Sequence, residues 1–139
     1  MRIGYVYDDR EVNVDIGSEL MPETSAVDAG AMISAEYDSR DTAFNPTRGL
    51  AMALEYLQSD SSLGADRDWE RAEMGIGLAV PLRRDVIWVT LAGGSSLGDD
   101  LPPDRRFALV GPSIFPGLEL GELRINDYWT LDTSYLLKV

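Results

Sequence analysis

Apolar and polar residues alternate with a period of two along most of this chain. The pattern is clearest over residues 69–80, where one row is apolar and the other is polar or small. The apolar row is Ala72, Met74, Ile76, Leu78 and Val80, and the other row is Arg71, Glu73, Gly75, Gly77 and Ala79. A period of two places successive side chains on opposite faces of a β-strand. The pattern therefore predicts amphipathic strands rather than helices.

The same criterion predicts six strands. Their ranges are 2–16, 30–40, 49–59, 69–83, 86–92 and 127–138. The first changes phase near Asp8–Arg10, which predicts a bulge or a twist. Residues 47–57 also fit a helix, because Leu50, Leu54 and Leu57 share a helical stripe. Several segments reach about 10 residues, which is the length of a tilted transmembrane strand rather than of a typical strand in a soluble sandwich.

Short and long connections separate the predicted strands. Residues 45–49 and 83–85 form compact turns, whereas residues 17–30, 59–68 and 93–126 form longer loops. Short turns on one side and long loops on the other are typical of an up-and-down barrel. The predicted fold class is therefore all-β, an antiparallel up-and-down meander of about six long strands that is part of a transmembrane β-barrel. A soluble sandwich or small barrel is the alternative.

The whole chain, residues 1–139, is predicted to be one partial barrel domain, with residues 93–126 as a long loop directed into the lumen. Bacterial barrels begin at about eight strands. Six strands, together with an end at Val139 that lacks a terminal aromatic residue, predict an internal piece of a larger barrel. No signal peptide begins the chain, so a longer precursor would have to supply one.

Charge and composition narrow the function classes. The chain has 24 acidic and 12 basic residues and a net charge of -12, which argues against binding the phosphates of a nucleic acid. It contains no cysteine and no histidine, so thiolate chemistry and a histidine base are both excluded. The acidic groups Asp8, Asp9 and Glu11, and Asp99, Asp100 and Asp104, lack the spacing of a calcium loop. We expect solvated loop charges, no metal and no cofactor.

One short motif raises the question of catalysis. Residues 94–98 match the G-x-S-x-G pattern of a serine nucleophile, with Ser96 at its centre. Without histidine no Ser-His-Asp triad can form, and no helical pattern follows Gly98. A Ser-Asp pair with Asp28 would need the aspartate after the serine rather than before it. We expect a strand-exit loop, no catalytic residue and no enzyme activity in this chain.

Three segments resemble one family. They are YDSRDTAFNPTRG at residues 37–49, FALVGPSIFPGL at 107–118, and GELR at 121–124 followed by Tyr128. In this order they resemble the bacterial surface antigen barrel, the superfamily of outer-membrane assembly and transport proteins. The resemblance covers most of the chain from Ala31 onward. It implies a strand–turn motif in the first segment, a loop that folds into the lumen in the second, and the approach to the next strand in the third.

The resemblance implies two sets of site residues. The strand–turn motif comprises Asp38, Arg40, Asp41, Phe44, Asn45, Pro46, Arg48 and Gly49. The lumen-loop motif comprises Gly111, Pro112, Phe115, Pro116, Gly117, Leu118, Gly121, Glu122 and Leu123.

The lumen loop departs from the family pattern at one position. Pro116 stands where the family carries an arginine that pairs with acidic groups of the barrel wall. This difference argues against an insertase or secretion role. The segment is most similar to the patatin-like branch, in which a lipase-type domain precedes a sixteen-stranded barrel. The resemblance then implies four further strands after Val139 and an upstream domain.

The predicted function is that of a barrel-wall segment of an outer-membrane protein, serving protein export, membrane-protein assembly or anchoring of an upstream domain. The predicted location is the bacterial outer membrane. The expected partners are the lipid bilayer and a second copy that pairs with the open sheet edges, with no nucleic acid. The alternative is a soluble all-β ligand-binding or interaction domain.

Overall fold

The chain folds into long antiparallel strands. A computed structural model describes residues 1–12, 24–109 and 123–137. Its strands are β1 (Arg2–Val12), β2 (Thr24–Asp38), β3 (Gly49–Ser59), β4 (Trp69–Leu82), β5 (Asp85–Ser95), β6 (Phe107–Ala108), β7 (Arg124–Ile125) and β8 (Tyr128–Leu136). A single 3-10 turn at Ser61–Leu63 is the one helical element in the described ranges.

Six of these strands form one sheet in the order β1-β2-β3-β4-β5-β8, and β6 pairs with β7 in a second, two-stranded sheet. Every neighbouring pair in the large sheet is antiparallel, so the chain runs up and down. The sheet is not closed within the described residues, and β1 and β8 are its edges. No helix in the described part of the chain has the length and hydropathy needed to cross a membrane.

The all-β class and the six-stranded meander are confirmed. The six strands are 9 to 15 residues long. The helix alternative for residues 47–57 is wrong, because β3 pairs with β2 on one side and with β4 on the other. Backbone pairing on both sides outweighs the helical spacing of its leucines.

Three strand predictions need correction. β2 begins at Thr24 rather than at residue 30, because residues 24–29 pair with the second half of β1. β5 continues to Ser95, so the long loop begins after it rather than at residue 93. The predicted bulge in the first strand is wrong over Arg2–Val12, where pairing with β2 is continuous. Residues 13–16 of that predicted strand lie outside the described residues.

The two faces of the large sheet differ in character. We call the face that carries Tyr5, Ile33, Leu54, Met74 and Leu131 the apolar face. Strand alternation and the pairing register place these side chains on the same side. The opposite side, which we call the polar face, carries residues such as Glu36, Glu55, Glu73, Thr90 and Asp132.

Burial is the reverse of what a water-soluble globule shows. The buried apolar residues among those described are few and mostly small: Ala29, Ala65, Ala79, Val86, Leu101 and Phe107. The apolar face instead exposes large side chains on five of the six strands: Ile3, Tyr5, Tyr7, Ile33, Tyr37, Met52, Leu54, Met74, Leu78, Val80, Leu82, Trp129, Leu131 and Tyr135. Large apolar side chains therefore lie on the surface, where a soluble monomer rarely shows so extended a patch.

The connections between strands lie at two opposite ends of the sheet, which we call the turn end and the loop end. At the turn end, residues 39–48 join β2 to β3 and residues 83–84 join β4 to β5. At the loop end, residues 60–68 join β3 to β4 and residues 96–127 join β5 to β8. The predicted compact turn between β4 and β5 and the predicted long connection between β5 and β8 are confirmed. The predicted contrast is wrong for the other two sites, because residues 39–48 and residues 60–68 form connections of nearly equal length.

The apolar band crosses the strands at a slant. On the apolar face of β4, the apolar residues end at Glu70, near the loop end. Following the strand pairs across the sheet from Glu70 leads to Gln58 on β3, then to Ala31 on β2 and to Tyr5 on β1. On β1 the apolar run continues past that row to Tyr7 and ends at Asp9. The boundary thus moves by about four residues over three strand-to-strand steps.

A glycine substitution tests the close pairing of β2 with β3. A Cβ atom on Gly30 would lie 1.7 Å from the backbone oxygen of Gln58, whereas no atom lies within 4 Å of the Cβ position of Gly75. Both residues are on the polar face. We expect Gly30→Ala to destabilise the fold by about 1–3 kcal/mol, because backbone cannot yield as a side chain does. Gly75→Ala should be neutral or slightly stabilising.

Urea unfolding monitored by tryptophan fluorescence measures both variants. Equal midpoints for the two alanine variants would contradict the register of β2 against β3.

Candidate functional site: the polar face and its insert

The connection between β5 and β8 folds onto the polar face. We call its described parts, residues 99–109 and 123–127, the insert. Phe107 is buried within it, with its ring centroid 5.2 Å from that of Tyr128 and 5.0 Å from the guanidinium carbon of Arg71. Gly94 lies beneath both rings, and a Cβ there would be 2.6 Å from Tyr128 and 2.7 Å from Phe107. The two rings can therefore pack against β5 only because the residue beneath them is glycine.

A network of charged side chains joins the insert to the sheet. Arg105 in the insert pairs with Asp28 on β2 and lies 2.9 Å from the carboxylate of Asp8 on β1. Arg67, in the connection before β4, pairs with Asp28 at 3.1 Å and with Asp104 at 2.7 Å. The two arginines thus link two strands, one loop and the insert.

Asp28 is the centre of this network. It is 4% exposed, and an unpaired carboxylate at such a site would be strongly destabilising. It accepts hydrogen bonds from Arg67, from Arg105 and from the indole Nε1 of Trp69 at 3.0 Å. The guanidinium of Arg105 also stacks over the Trp69 ring, 5.4 Å from its centroid. The buried carboxylate at position 28 is therefore compensated by donors from three other parts of the chain.

The loop members of the network have shifted proton affinities. Hydrogen bonding to Asp104 raises the pKa of Arg67 further above its usual value. Burial acts to raise the pKa of Asp104, but the hydrogen bond and charge of Arg67 outweigh it, so that the pKa lies below its ordinary value. Both groups are therefore charged throughout the range in which the protein would function.

Hydrogen bonds fix both ends of the insert. Asp127 accepts from the hydroxyl of Ser95 at 2.7 Å and from the backbone N–H of Ser96 at 3.2 Å. Asn126 accepts from the backbone N–H of Leu101 at 3.1 Å and donates to Asp100 at 2.5 Å. The insert is thus tied to the end of β5, and its two described parts are tied to each other.

The polar face next to the insert remains open. A cavity of about 310 Å³ lies there, lined by Glu36, Glu55, Glu73 and Tyr128. The hydroxyl of Tyr128 donates to Glu73, and the guanidinium of Arg71 lies 3.7 Å from Glu73. No group of acidic residues in the described ranges is arranged so that it could hold a metal ion.

The strand–turn motif is folded around Asp41 at the turn end. Its carboxylate accepts from the backbone N–H of Thr42 at 3.0 Å, and from the backbone N–H and hydroxyl of Thr47. Hydrogen bonding by Thr47 lowers the pKa of Asp41. Arg40 pairs with Asp38 through two hydrogen bonds of 3.0 and 2.7 Å. The turn is therefore held by its own polar side chains.

The second half of the motif fits the backbone of the turn. Pro46 is fully buried, and its carbonyl accepts from the indole Nε1 of Trp88 at 2.8 Å. Gly49 has φ +112°, and a Cβ there would lie 2.5 Å from the backbone oxygen of Ser39. Only glycine fits that position without strain. Phe44 is 90% exposed at the tip of the turn.

The structure brings the strand–turn residues together, but the lumen-loop residues lie outside its description. Gly111, Pro112, Phe115, Pro116, Gly117, Leu118, Gly121 and Glu122 fall in the undescribed range. Leu123 is described, and its carbonyl accepts from the backbone N–H of Leu109 at 3.2 Å. The Pro116 argument therefore stays a prediction.

The sequence reading missed the charge network. It expected Asp8 and Asp104 to be solvated, and this is wrong because both pair with arginines. Arg67 and Arg105 stand among acidic residues in the sequence, which was the available signal. Ser96 lies at the end of β5, with its side chain buried and its N–H bonded to Asp127.

Comparison of the chain with known protein families, with curated proteins and with solved structures gave no match.

Removal of Arg105 tests whether the network holds the insert. Arg105→Gln leaves Asp28 with one arginine, and breaking a buried ion pair costs about 3 kcal/mol. Hydrogen exchange of residues 99–109, measured by mass spectrometry, should then increase by about a hundredfold. Arg40→Gln, which breaks a solvent-exposed pair in the turn, is the matched control and should leave that exchange unchanged. Slow exchange in both variants would contradict the role of Arg105.

Proposed function

We propose that this chain is a barrel-wall segment of a bacterial outer-membrane protein, with its apolar face against lipid and its polar face toward the lumen. The proposed role of the wall is to anchor an associated upstream domain in the membrane. The single observation that carries the proposal is the extended exposed apolar face of the six-stranded sheet. In this role the chain does its work by structure, without a reaction of its own.

The pattern on that face supports lipid as the solvent. Tyr5, Tyr7 and Trp129 lie toward the loop-end boundary, and Tyr135 lies near the turn end. Aromatic residues at both borders of an apolar band are typical of membrane barrels. Asp9 and Glu70 mark the change to polar residues beyond the band at the loop end.

The dimensions of the band also support the proposal. On β4 the apolar row extends from Ala72 to Leu82, which is about 33 Å along the strand. A strand tilted by about 40° would give this row a height of about 25 Å, the height of the apolar band of outer-membrane barrels. The slant of the boundary, about 1.3 residues per strand, agrees with such a tilt, since neighbouring strands are about 4.8 Å apart.

The polar face suits a lumen that the insert partly fills. Asp28 on this face pairs with Arg105 of the insert, and Glu36 and Glu55 line the open cavity. A wall that carries a pinned insert favours anchoring over a wide conducting pore. The resemblance to the patatin-like branch of the surface antigen barrels also supports anchoring rather than export or assembly.

A pair of adjacent substitutions separates this proposal from a soluble all-β domain. Leu78 is near the middle of the apolar row of β4, and Gly77 points to the polar face with no atom within 4 Å of its Cβ position. Arginine in mid-membrane on the lipid side costs about 2–4 kcal/mol, whereas the lumen side tolerates it. We expect Leu78→Arg to abolish most insertion into lipid vesicles and Gly77→Arg to preserve it.

Insertion is measured as the fraction of protein that migrates as a folded, heat-modifiable band and resists protease. Equal insertion of the two variants would contradict the lipid-facing assignment. A Leu78→Arg protein that folds as a monomer in plain buffer would favour the soluble binding domain instead.

A further inference from the structure

Arginines mark the border of the apolar face at the turn end. Arg48 is two residues from Leu50, the apolar-face residue of β3 nearest that end, and Arg83 directly follows Leu82 on β4. Arg84 completes the turn that leads into β5. All three arginines are exposed. We call Arg48, Arg83 and Arg84 the basic border.

The border of the same face at the loop end is acidic. On four of the six strands, the first charged residue that continues the apolar row beyond the band carries a carboxylate. These residues, which we call the acidic border, are Asp9 on β1, Asp60 after β3, Glu70 on β4 and Asp127 before β8. The two borders of the apolar face therefore carry opposite charge.

The two borders run nearly parallel across the sheet. Following the strand pairs from Asp127 to Asp9 moves the acidic border by about six residues over five strand-to-strand steps. Following them from Arg84 to Arg48 moves the basic border in the same direction, by about three residues over two steps. Each border thus keeps a nearly constant depth in a membrane that the strands cross at the proposed tilt.

The aspartates at the turn end do not neutralise the basic border. Asp38 is paired with Arg40, and Asp85 accepts a hydrogen bond from the hydroxyl of Tyr135 at 2.6 Å. Asp41 accepts hydrogen bonds within its own turn. No carboxylate in the described part of the chain forms an ion pair with a guanidinium of the basic border. These three charges are therefore available to an anion from outside the fold.

The backbone of the turn between β4 and β5 does not account for its arginines. Arg83 has φ +58°, and two-residue hairpin turns usually place glycine or asparagine at such a position. A guanidinium donates hydrogen bonds in a planar fork that matches the oxygens of a phosphate group. The local conformation thus disfavours arginine at position 83, whereas a phosphate ligand favours it.

Apolar surface adjoins the basic border on its membrane side. Leu82, directly before Arg83, is 48% exposed. A groove of about 390 Å³ lies on the same face, lined by Ala35, Tyr37, Met52, Leu54, Met74 and Ile76. A phospholipid brings a phosphate to the arginines and acyl chains to this surface, whereas a free phosphate ion would use the arginines alone.

The two borders are too far apart to act on the same headgroup. The apolar band of an outer-membrane barrel is about 25 Å high, and the Debye length at physiological ionic strength is about 8 Å. A headgroup at the turn end therefore interacts with the basic border and is screened from the acidic one, although the whole chain has a net charge of -12.

We propose that the basic border binds the headgroups of anionic phospholipids in the leaflet that the turn end enters, and that the acidic border does not bind them. This inference rests on the proposed membrane-wall function and adds a lipid class and the end of the sheet that recognises it.

The lipid composition next to each border tests the proposal. One protein retains Trp129, which is 75% exposed near the loop end, and a second carries Leu82→Trp beside the basic border. All other tryptophans are replaced by phenylalanine. Both proteins are inserted into phosphatidylcholine vesicles that contain phosphatidylglycerol brominated along its acyl chains. Fluorescence quenching at increasing fractions of the brominated lipid gives the local preference for phosphatidylglycerol over phosphatidylcholine.

The two positions should differ strongly. An arginine near an anionic surface strengthens binding about fivefold. We expect a preference for phosphatidylglycerol of about tenfold or more at Leu82→Trp and no preference at Trp129.

Paired substitutions then assign the preference to the arginines. Arg83→Gln combined with Arg84→Gln should lower the preference at Leu82→Trp by at least about fivefold. Arg106→Gln combined with Arg124→Gln removes the same charge from the insert at the loop end and should leave that preference unchanged.

A preference that survives the loss of Arg83 and Arg84, or an equal preference at both borders, would overturn the proposal. Complete loss of the preference in inorganic phosphate, but not in chloride of the same ionic strength, would assign the arginines to free phosphate and would also overturn it.

Insertion is scored separately by protection from protease. Protected protein without a lipid preference would overturn the lipid site while leaving the membrane-wall function intact. Unprotected protein in every lipid mixture would overturn both.

Discussion

The apolar face of the six-stranded sheet is the constraint on which the rest of the structure depends. Burying apolar surface contributes about 25 cal/mol per Å², and a sheet that leaves Trp129, Leu131 and Leu54 at its surface forgoes that contribution in water. The described residues offer no second layer to cover it. Under the proposed membrane-wall function, lipid supplies the missing contact, and the hydrogen-bonded sheet satisfies the backbone polar groups between strands.

The polar face follows from the same inversion. When the large apolar residues point outward, the interior must be built from charges, hydroxyls and small residues. Buried charges in such an interior are stable only if they are paired, and Asp28 is paired in this way. Two arginines and an indole N–H surround its carboxylate, and they arrive from a loop, from the insert and from strand β4, which β3 separates from β2. The insert is therefore held by electrostatics at Asp28 as well as by the packing of Leu101 and Phe107.

The sequence predicted the elements well because the period of two is a local property. Met74, Ile76 and Leu78 identified both the strand and its apolar face without any tertiary information. Local glycine and proline signals likewise identified the turn at Pro46 and Gly49, which the structure shows folded around Asp41.

The sequence failed where long-range contacts decide the structure. Residues 24–29 have the composition of a loop but form a strand, because β1 pairs with them and because Arg67 and Arg105 neutralise Asp28. Gly93 and Gly94 suggested the end of β5, yet they continue it, because they pair with β4 on one side and with β8 on the other. The rings of Phe107 and Tyr128 occupy the space that a side chain at Gly94 would need. The charge network joins residues up to 97 positions apart, a separation that no local pattern encodes.

The most direct test of the central claim is the contact of Trp129 with lipid. Trp129 is 75% exposed on the apolar face, whereas Trp88 points to the polar face and donates to Pro46. Two variants that each retain one of these tryptophans, with the others replaced by phenylalanine, are folded in vesicles of lipids brominated along their acyl chains. The account predicts strong quenching of Trp129 fluorescence and weak quenching of Trp88. Equal quenching of the two, or quenching of Trp129 by a water-soluble quencher alone, would contradict it.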